Sequence, residues 1–187
     1  MGRNSLSDDD DLTIIFVLGG PGSGKGTQCK MIAHKYDEFC HISVGDLLRT
    51  EQESGTMIRN CIKEARRVPS GIVVDLIIQA MERSGKKKFL IDGFPCSVEN
   101  LMAFCSVPKF VLYLSCSEEV MVQRALRIEQ GREDDNPETI RKQIKFFEES
   151  SLPVIEYYCS AGILEEINSE MSVEEVFKEI TKVFELL

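Results

Sequence analysis

Apolar residues along this chain follow two rhythms, and the two alternate. Leu12 to Leu18 is apolar almost throughout, as in a strand covered on both faces of a parallel sheet. Phe39 to Ile42, Lys88 to Asp92, Lys109 to Leu114 and Ile163 to Ile167 are shorter runs of the same kind. Between them apolar positions recur every three or four residues. That spacing predicts helices over Gly24–Tyr36, from Ser43 through Arg49, over 55–66, 71–83, Ser97–Phe104 and Ser117–Arg127, and after Asn136-Pro137. Val68-Pro69-Ser70-Gly71 breaks two of them apart. Asn136 as cap and Pro137 at the first helical position form a strong start signal, and Ile140, Ile144 and Phe147 then share a face. Ser172 and Glu175 have the spacing of a capping box for the last helix, whose period from Val173 holds to Leu187. Five strands alternating with helices predict an α/β fold with a parallel sheet.

At 187 residues and 43% hydrophobic content the chain suits one well-packed domain. A net charge of -9 argues against nucleic acid or an anionic membrane as partner, so any phosphate site is a local positive patch. No apolar stretch is long enough to span a bilayer. Residues 1–11 read as a solvated acidic tail, with neither a secretory nor a transit pattern. Seven cysteines without zinc-type pairing fit reduced thiols in the cytoplasm. The two histidines, His34 and His41, stand in no cluster of metal-binding spacing.

The chemistry concentrates after the first strand, in Gly19 to Thr27, GGPGSGKGT. Gly19, four residues, Gly24 and Lys25 form a phosphate-binding loop pattern between strand and helix. Backbone N–H groups, the positive helix end and one lysine converge there on a phosphate chain. The hydroxyl comes one residue later than in the general pattern, at Thr27, after Gly26. Asp92 closes a strand beside that loop and is suited to orient the water around Mg²⁺, with Thr27 opposite. Guanidinium groups for phosphoryl transfer are offered by Arg49, Arg66, Arg67, Arg124, Arg127 and Arg132.

Gly19–Thr27, Ser43–Arg49, Ile91–Pro95 and Gly131–Asn136 stand in the order and spacing of the nucleoside monophosphate kinases. From Leu12 onward the chain resembles that family's short-lid branch, which holds cytosolic adenylate kinase and UMP/CMP kinase. The resemblance implies a P-loop NTPase-type core with five parallel strands wrapped by helices, spanning residues 12–187. It implies a helical monophosphate-binding insertion at 43–73 and a short lid at 127–137. It also implies a monomeric enzyme that moves the γ-phosphoryl group of ATP, with Mg²⁺, to a nucleoside monophosphate.

Carried over by residue, Gly20, Pro21, Gly22, Ser23, Gly24, Lys25, Gly26 and Thr27 hold ATP, and Lys25 follows the migrating phosphoryl group. Ser43, Val44, Arg49, Val68, Gly93, Phe94 and Asn100 form the monophosphate site. Asp92 and Thr27 attend the metal, Asp92 through water. Arg127 and Arg132 act on the phosphates, supported by Asp134 and Asp135.

Two family arginines are replaced, by Cys96 in the strand motif and by Gln143 seven residues past Asn136. Ile128 falls near a third expected arginine, which puts Arg127 in line for its role. Arg66 and Arg67, just before Val68-Pro69, offer replacement charge. Asn100 and Val44 agree with the UMP/CMP kinases where adenylate kinases carry Gln and Thr, so a pyrimidine acceptor is favoured over AMP. A degenerate, ATP-binding member of the family is the alternative that the missing arginines keep open.

Overall fold

The computed structural model describes residues 11–54, 56–63, 67–127 and 137–186. Five parallel strands form one sheet: β1 (Thr13–Leu18), β2 (Phe39–Ser43), β3 (Lys88–Asp92), β4 (Phe110–Ser115) and β5 (Leu164–Asn168), in the order β2-β3-β1-β4-β5. The helices are α1 (Lys25–Lys35), α2 (Val44–Ser54), α3 (Thr56–Lys63), α4 (Ser70–Ser84), α5 (Val98–Ala103), α6 (Glu118–Arg127), α7 (Pro137–Phe146), α8 (Leu152–Ser160) and α9 (Val173–Phe184). Among the described residues, no helix is long and apolar enough to cross a membrane.

The near-continuous apolar reading of β1 has a direct cause. Ile14, Phe16 and Leu18 point into one core with α2 to α8, while Ile15 and Val17 point into another with α1 and α9. Alternate side chains of a strand face opposite sides, so a strand covered on both must be apolar at every position. Phe16 anchors the first core, edge-on to Phe94 at 5.8 Å and to Phe104 at 5.7 Å. On the other face, Cys29 and Ile32 of α1 pack with Val176, Ile180 and Phe184 of α9. The α9 capping box forms, with Glu175 N donating to Ser172 Oγ at 3.3 Å and Ser172 N to Glu175 Oε2 at 3.0 Å.

β1 and β3 pair with Val17 opposite Asp92, yet their following helices, α1 and α5, lie on opposite faces of the sheet. Such a reversal opens a crevice at the C-terminal strand ends. Gly93 N donates to Val17 O at 3.1 Å and ties the two ends together.

Most element bounds move by a residue or two from the sequence reading. The larger difference lies after Pro137, where the chain does not run on as one regular helix. α7 stops at Phe146, a single π-helical turn covers Phe147–Ser151, and α8 follows. Pro153 explains the break: it has no N–H for the carbonyl four residues back, and its ring crowds that carbonyl. The wide turn carries Ser150 and Ser151 inward, where both are buried. Residues 1–10 of the expected tail (1–11), Arg66, and the lid residues Ile128, Arg132, Asp134 and Asp135 lie outside the described residues.

Candidate active site

The phosphate loop connects β1 to α1, and its glycines answer to two constraints. A Cβ on Gly20 would sit 2.1 Å from Met121 Sδ, and one on Gly22 would sit 2.7 Å from Met121 O. Packing of α6 against the outside of the loop adds to the reasons for glycine at these two positions. Gly22 also takes φ +74° and Gly24 φ +89°, which L side chains rarely adopt, but a Cβ on Gly24 would meet nothing within 4 Å. Gly24 opens the N-terminus of α1, whose first N–H groups have no partner inside the helix. Ser23 Oγ is buried with no hydrogen-bond partner among the described residues.

Lys25 curls back over this loop. Its Nζ donates to Gly19 O at 2.8 Å and to Gly20 O at 2.9 Å. Burial lowers its pKa, and the negative charge of Asp92 opposes that shift. A half-buried ammonium hydrogen-bonded to neutral carbonyls is a ready partner for an anion.

Asp92 ends β3, buried, with its carboxylate toward α1: a Cβ on Gly26 would lie 3.6 Å from Asp92 Oδ2. His41 on β2 places Nε2 at 3.3 Å from the same oxygen. Cys29, His41 and Asp92 bring their polar atoms within 4.8 Å of one another. Burial pushes the Cys29 thiol well up, so it stays protonated beside the carboxylate. Asp92 therefore presents a fixed hard oxygen donor to the crevice, which suits a hydrated divalent ion. Thr27 is exposed on α1. By sequence spacing His41 stands in no metal-binding cluster, yet the structure sets it beside Cys29 and against Asp92. Parallel pairing of β2 with β3, Ser43 opposite Asp92, is what puts it there.

A cleft opens from the loop across the end of β3. Gly19, Lys25, Gly93, Cys96, Gln143 and Ser151 line it together. Both positions identified as replacing arginines thus face the space in front of Lys25. The expected acceptor residues divide. Ser43 Oγ caps α2 by accepting from Asp46 N at 3.3 Å, and Arg49 pairs with Asp46 one turn away on that helix. Val44, Val68 and Phe94 are buried in the core. Asn100 is only 5% exposed, and its carboxamide is committed. Nδ2 donates to Ser70 Oγ at 2.8 Å, and Oδ1 accepts from Cys96 Sγ at 3.1 Å and from Cys96 N at 3.3 Å. Asn100 thereby joins α4, α5 and the Cys96 turn rather than reaching into open space.

The arginines sort clearly. Arg124 is structural, donating to Ser169 O at 2.6 Å and Glu170 O at 3.2 Å to hold the loop between β5 and α9. Arg127 is exposed at the last residue of α6. Arg67 donates to Glu99 Oε2 at 3.0 Å and to Ser150 Oγ, with its guanidinium 4.9 Å from the Phe146 ring centroid. Next to Ser150, Ser151 Oγ donates to Cys96 O at 3.0 Å. Ser150 and Ser151 were not singled out from the sequence. The one available signal was Pro153, which marks a disturbed helix but not the direction its serines take.

The adenylate kinase family model matches residues 17–163. UMP-CMP kinase 3 of Arabidopsis thaliana is 53% identical over 180 residues, covering 92% of this chain and 89% of that protein. UMP-CMP kinase 3 of Oryza sativa subsp. japonica is 50% identical over 184 residues, covering 94% and 87%. Uridylate kinase of Saccharomyces cerevisiae is 42% identical over 184 residues, covering 91% and 90%.

Proposed function

The chain belongs to the adenylate kinase family of nucleoside monophosphate kinases, and from that premise we propose that it transfers the γ-phosphoryl group of ATP to UMP or CMP. The observation that carries this reading is the crevice itself. The phosphate loop, the doubly bonded Lys25 and the buried Asp92 converge at the switch point between β1 and β3. The pyrimidine preference draws on relatives named as UMP-CMP and uridylate kinases, and on Val44 and Asn100.

In this mechanism the N–H groups from Gly20 to Thr27 grip the donor phosphates. Lys25 leaves the carbonyls of Gly19 and Gly20 for the phosphate oxygens, a stronger, charge-assisted bond. Asp92 and Thr27 would hold the water shell of Mg²⁺ brought with ATP, whose charge would offset that of the phosphates. Arg49 takes the acceptor's phosphate from the N-terminal part of α2. The insertion at 43–73 seats the acceptor, and Val44, Val68, Gly93 and Phe94 shape that seat. Asn100 acts on the base indirectly, by fixing Ser70 and the Cys96 turn. The lid at 127–137, with Arg127, Arg132, Asp134 and Asp135, closes over the phosphates and excludes water, which otherwise accepts the phosphoryl group. The seven cysteines are free thiols, in keeping with a reducing compartment such as the cytoplasm.

A second reading, an ATP-binding member with little turnover, draws on the neutral Cys96 and Gln143 in the cleft. The test is ADP formation from ATP and Mg²⁺ with AMP, CMP, UMP, dCMP or GMP supplied singly. Turnover with CMP or UMP is expected. Turnover with AMP alone would overturn the acceptor assignment. ATP-dependent thermal stabilisation without turnover on any acceptor would favour the second reading.

A further inference from the structure

In the cleft that holds Lys25, the part of the wall formed by Cys96, Gln143, Phe146 and Ser151 carries no charge of its own. A nucleoside monophosphate brings a phosphate of nearly two negative charges at neutral pH, and seating it against such a wall is costly without a cation. Among the described residues, the Arg67 guanidinium lies against this wall through Phe146. Arg67 is stacked on Phe146, donates to Ser150, and its charge reaches Cys96, where it opposes the upward shift that burial imposes on the thiol. We propose that Arg67 is the residue that receives the acceptor's phosphate on the Cys96 side of the cleft. The proposal rests on the kinase reading above and assigns a cation to it.

The resting contacts of Arg67 suit that task. Its charge partner, Glu99, is a surface carboxylate: the two side chains are 49% and 68% exposed. Exposed ion pairs of this kind contribute little and are screened by water and salt. A phosphate offers the same guanidinium fork two oxygens with more charge, so exchanging Glu99 for phosphate is favourable. The Phe146 face and Ser150 limit the rotamers of a long side chain before the ligand arrives. The π-helical turn supplies this support, since it is what turns Ser150 inward.

The test combines steady-state kinetics with calorimetric binding of CMP and of cytidine to the full chain. Arg67→Ala is expected to raise KM and Kd for CMP by about 10- to 100-fold, the loss that follows removal of charged hydrogen bonds. The KM for ATP and the weak affinity for cytidine, which lacks the phosphate, should stay within about twofold. Arg67→Lys should recover only part of the loss. Glu99→Gln removes the competitor for the guanidinium, so CMP should bind more tightly. Cys96→Arg, added to Arg67→Ala, should restore CMP affinity from the same side of the cleft. Were Arg67 merely a clamp between α5 and the π-helical turn, Glu99→Gln would weaken CMP binding, as Arg67→Ala does, and the proposal would fall. It also falls if a folded Arg67→Ala protein binds CMP as the parent does. Turnover and binding separate the two readings. Arg67-dependent CMP binding without turnover keeps this proposal and sinks the kinase reading, and turnover with Arg67-independent binding does the reverse.

Discussion

Lys25→Ala is expected to lower the rate of ADP formation by about 10²- to 10³-fold or more, the range seen when one preorganised donor to a developing oxyanion is removed. The half-buried lysine is held by the carbonyls of Gly19 and Gly20, at 2.8 and 2.9 Å, with Asp92 supplying opposing charge. Alanine removes the only long cationic arm of the loop itself. It also frees two carbonyls, though each lies next to the open crevice where water can serve them. The fold should therefore survive, and a far-ultraviolet circular dichroism spectrum with a cooperative melt checks that it does. Unchanged turnover in a folded Lys25→Ala protein would defeat the mechanism.

Asp92→Asn is expected to have an effect of similar size on kcat, about 10²-fold or more at fixed Mg²⁺, because it removes charge from an ion that stabilises several kcal/mol of transition-state charge. Asparagine fills the same space at the end of β3 and still meets His41. The variant thus separates charge from packing. ATP affinity measured in EDTA should change little or improve, since a carboxylate facing the phosphates has been neutralised. A variant that keeps full activity with Mg²⁺ would remove Asp92 from the metal's surroundings.

Much of this arrangement was legible from residue patterns because local rules decide it. A strand covered on both faces needs an apolar residue at every position, and β1 shows one nearly everywhere. A phosphate loop needs glycine, lysine and a helix start in fixed order, and Gly19 to Thr27 shows them. The box of Ser172 and Glu175 closes within four residues. What stayed hidden depends on residues far apart in sequence. Asn100 reads as a base-recognition arm, but Ser70, 30 positions away, and Cys96 take up its carboxamide. His41 reads as an ordinary histidine until β2 pairs beside β3 and brings it to Asp92. Arg67 meets Ser150 across 83 residues, and only after Pro153 has forced the π-helical turn. Gly20 and Gly22 illustrate a subtler case. Ligand approach explains them from the sequence, while Met121 on α6 adds a packing reason that no local pattern contains.

The central claim is transfer between two nucleotides, and the fate of the moving phosphorus tests it most directly. ATP labelled in its γ-phosphate would be incubated with the protein, Mg²⁺ and CMP or UMP, and the products separated. The account predicts that the label appears as the β-phosphate of CDP or UDP, at a rate that depends on the acceptor's concentration. Label released as inorganic phosphate, or left in ATP whatever the acceptor, would contradict it.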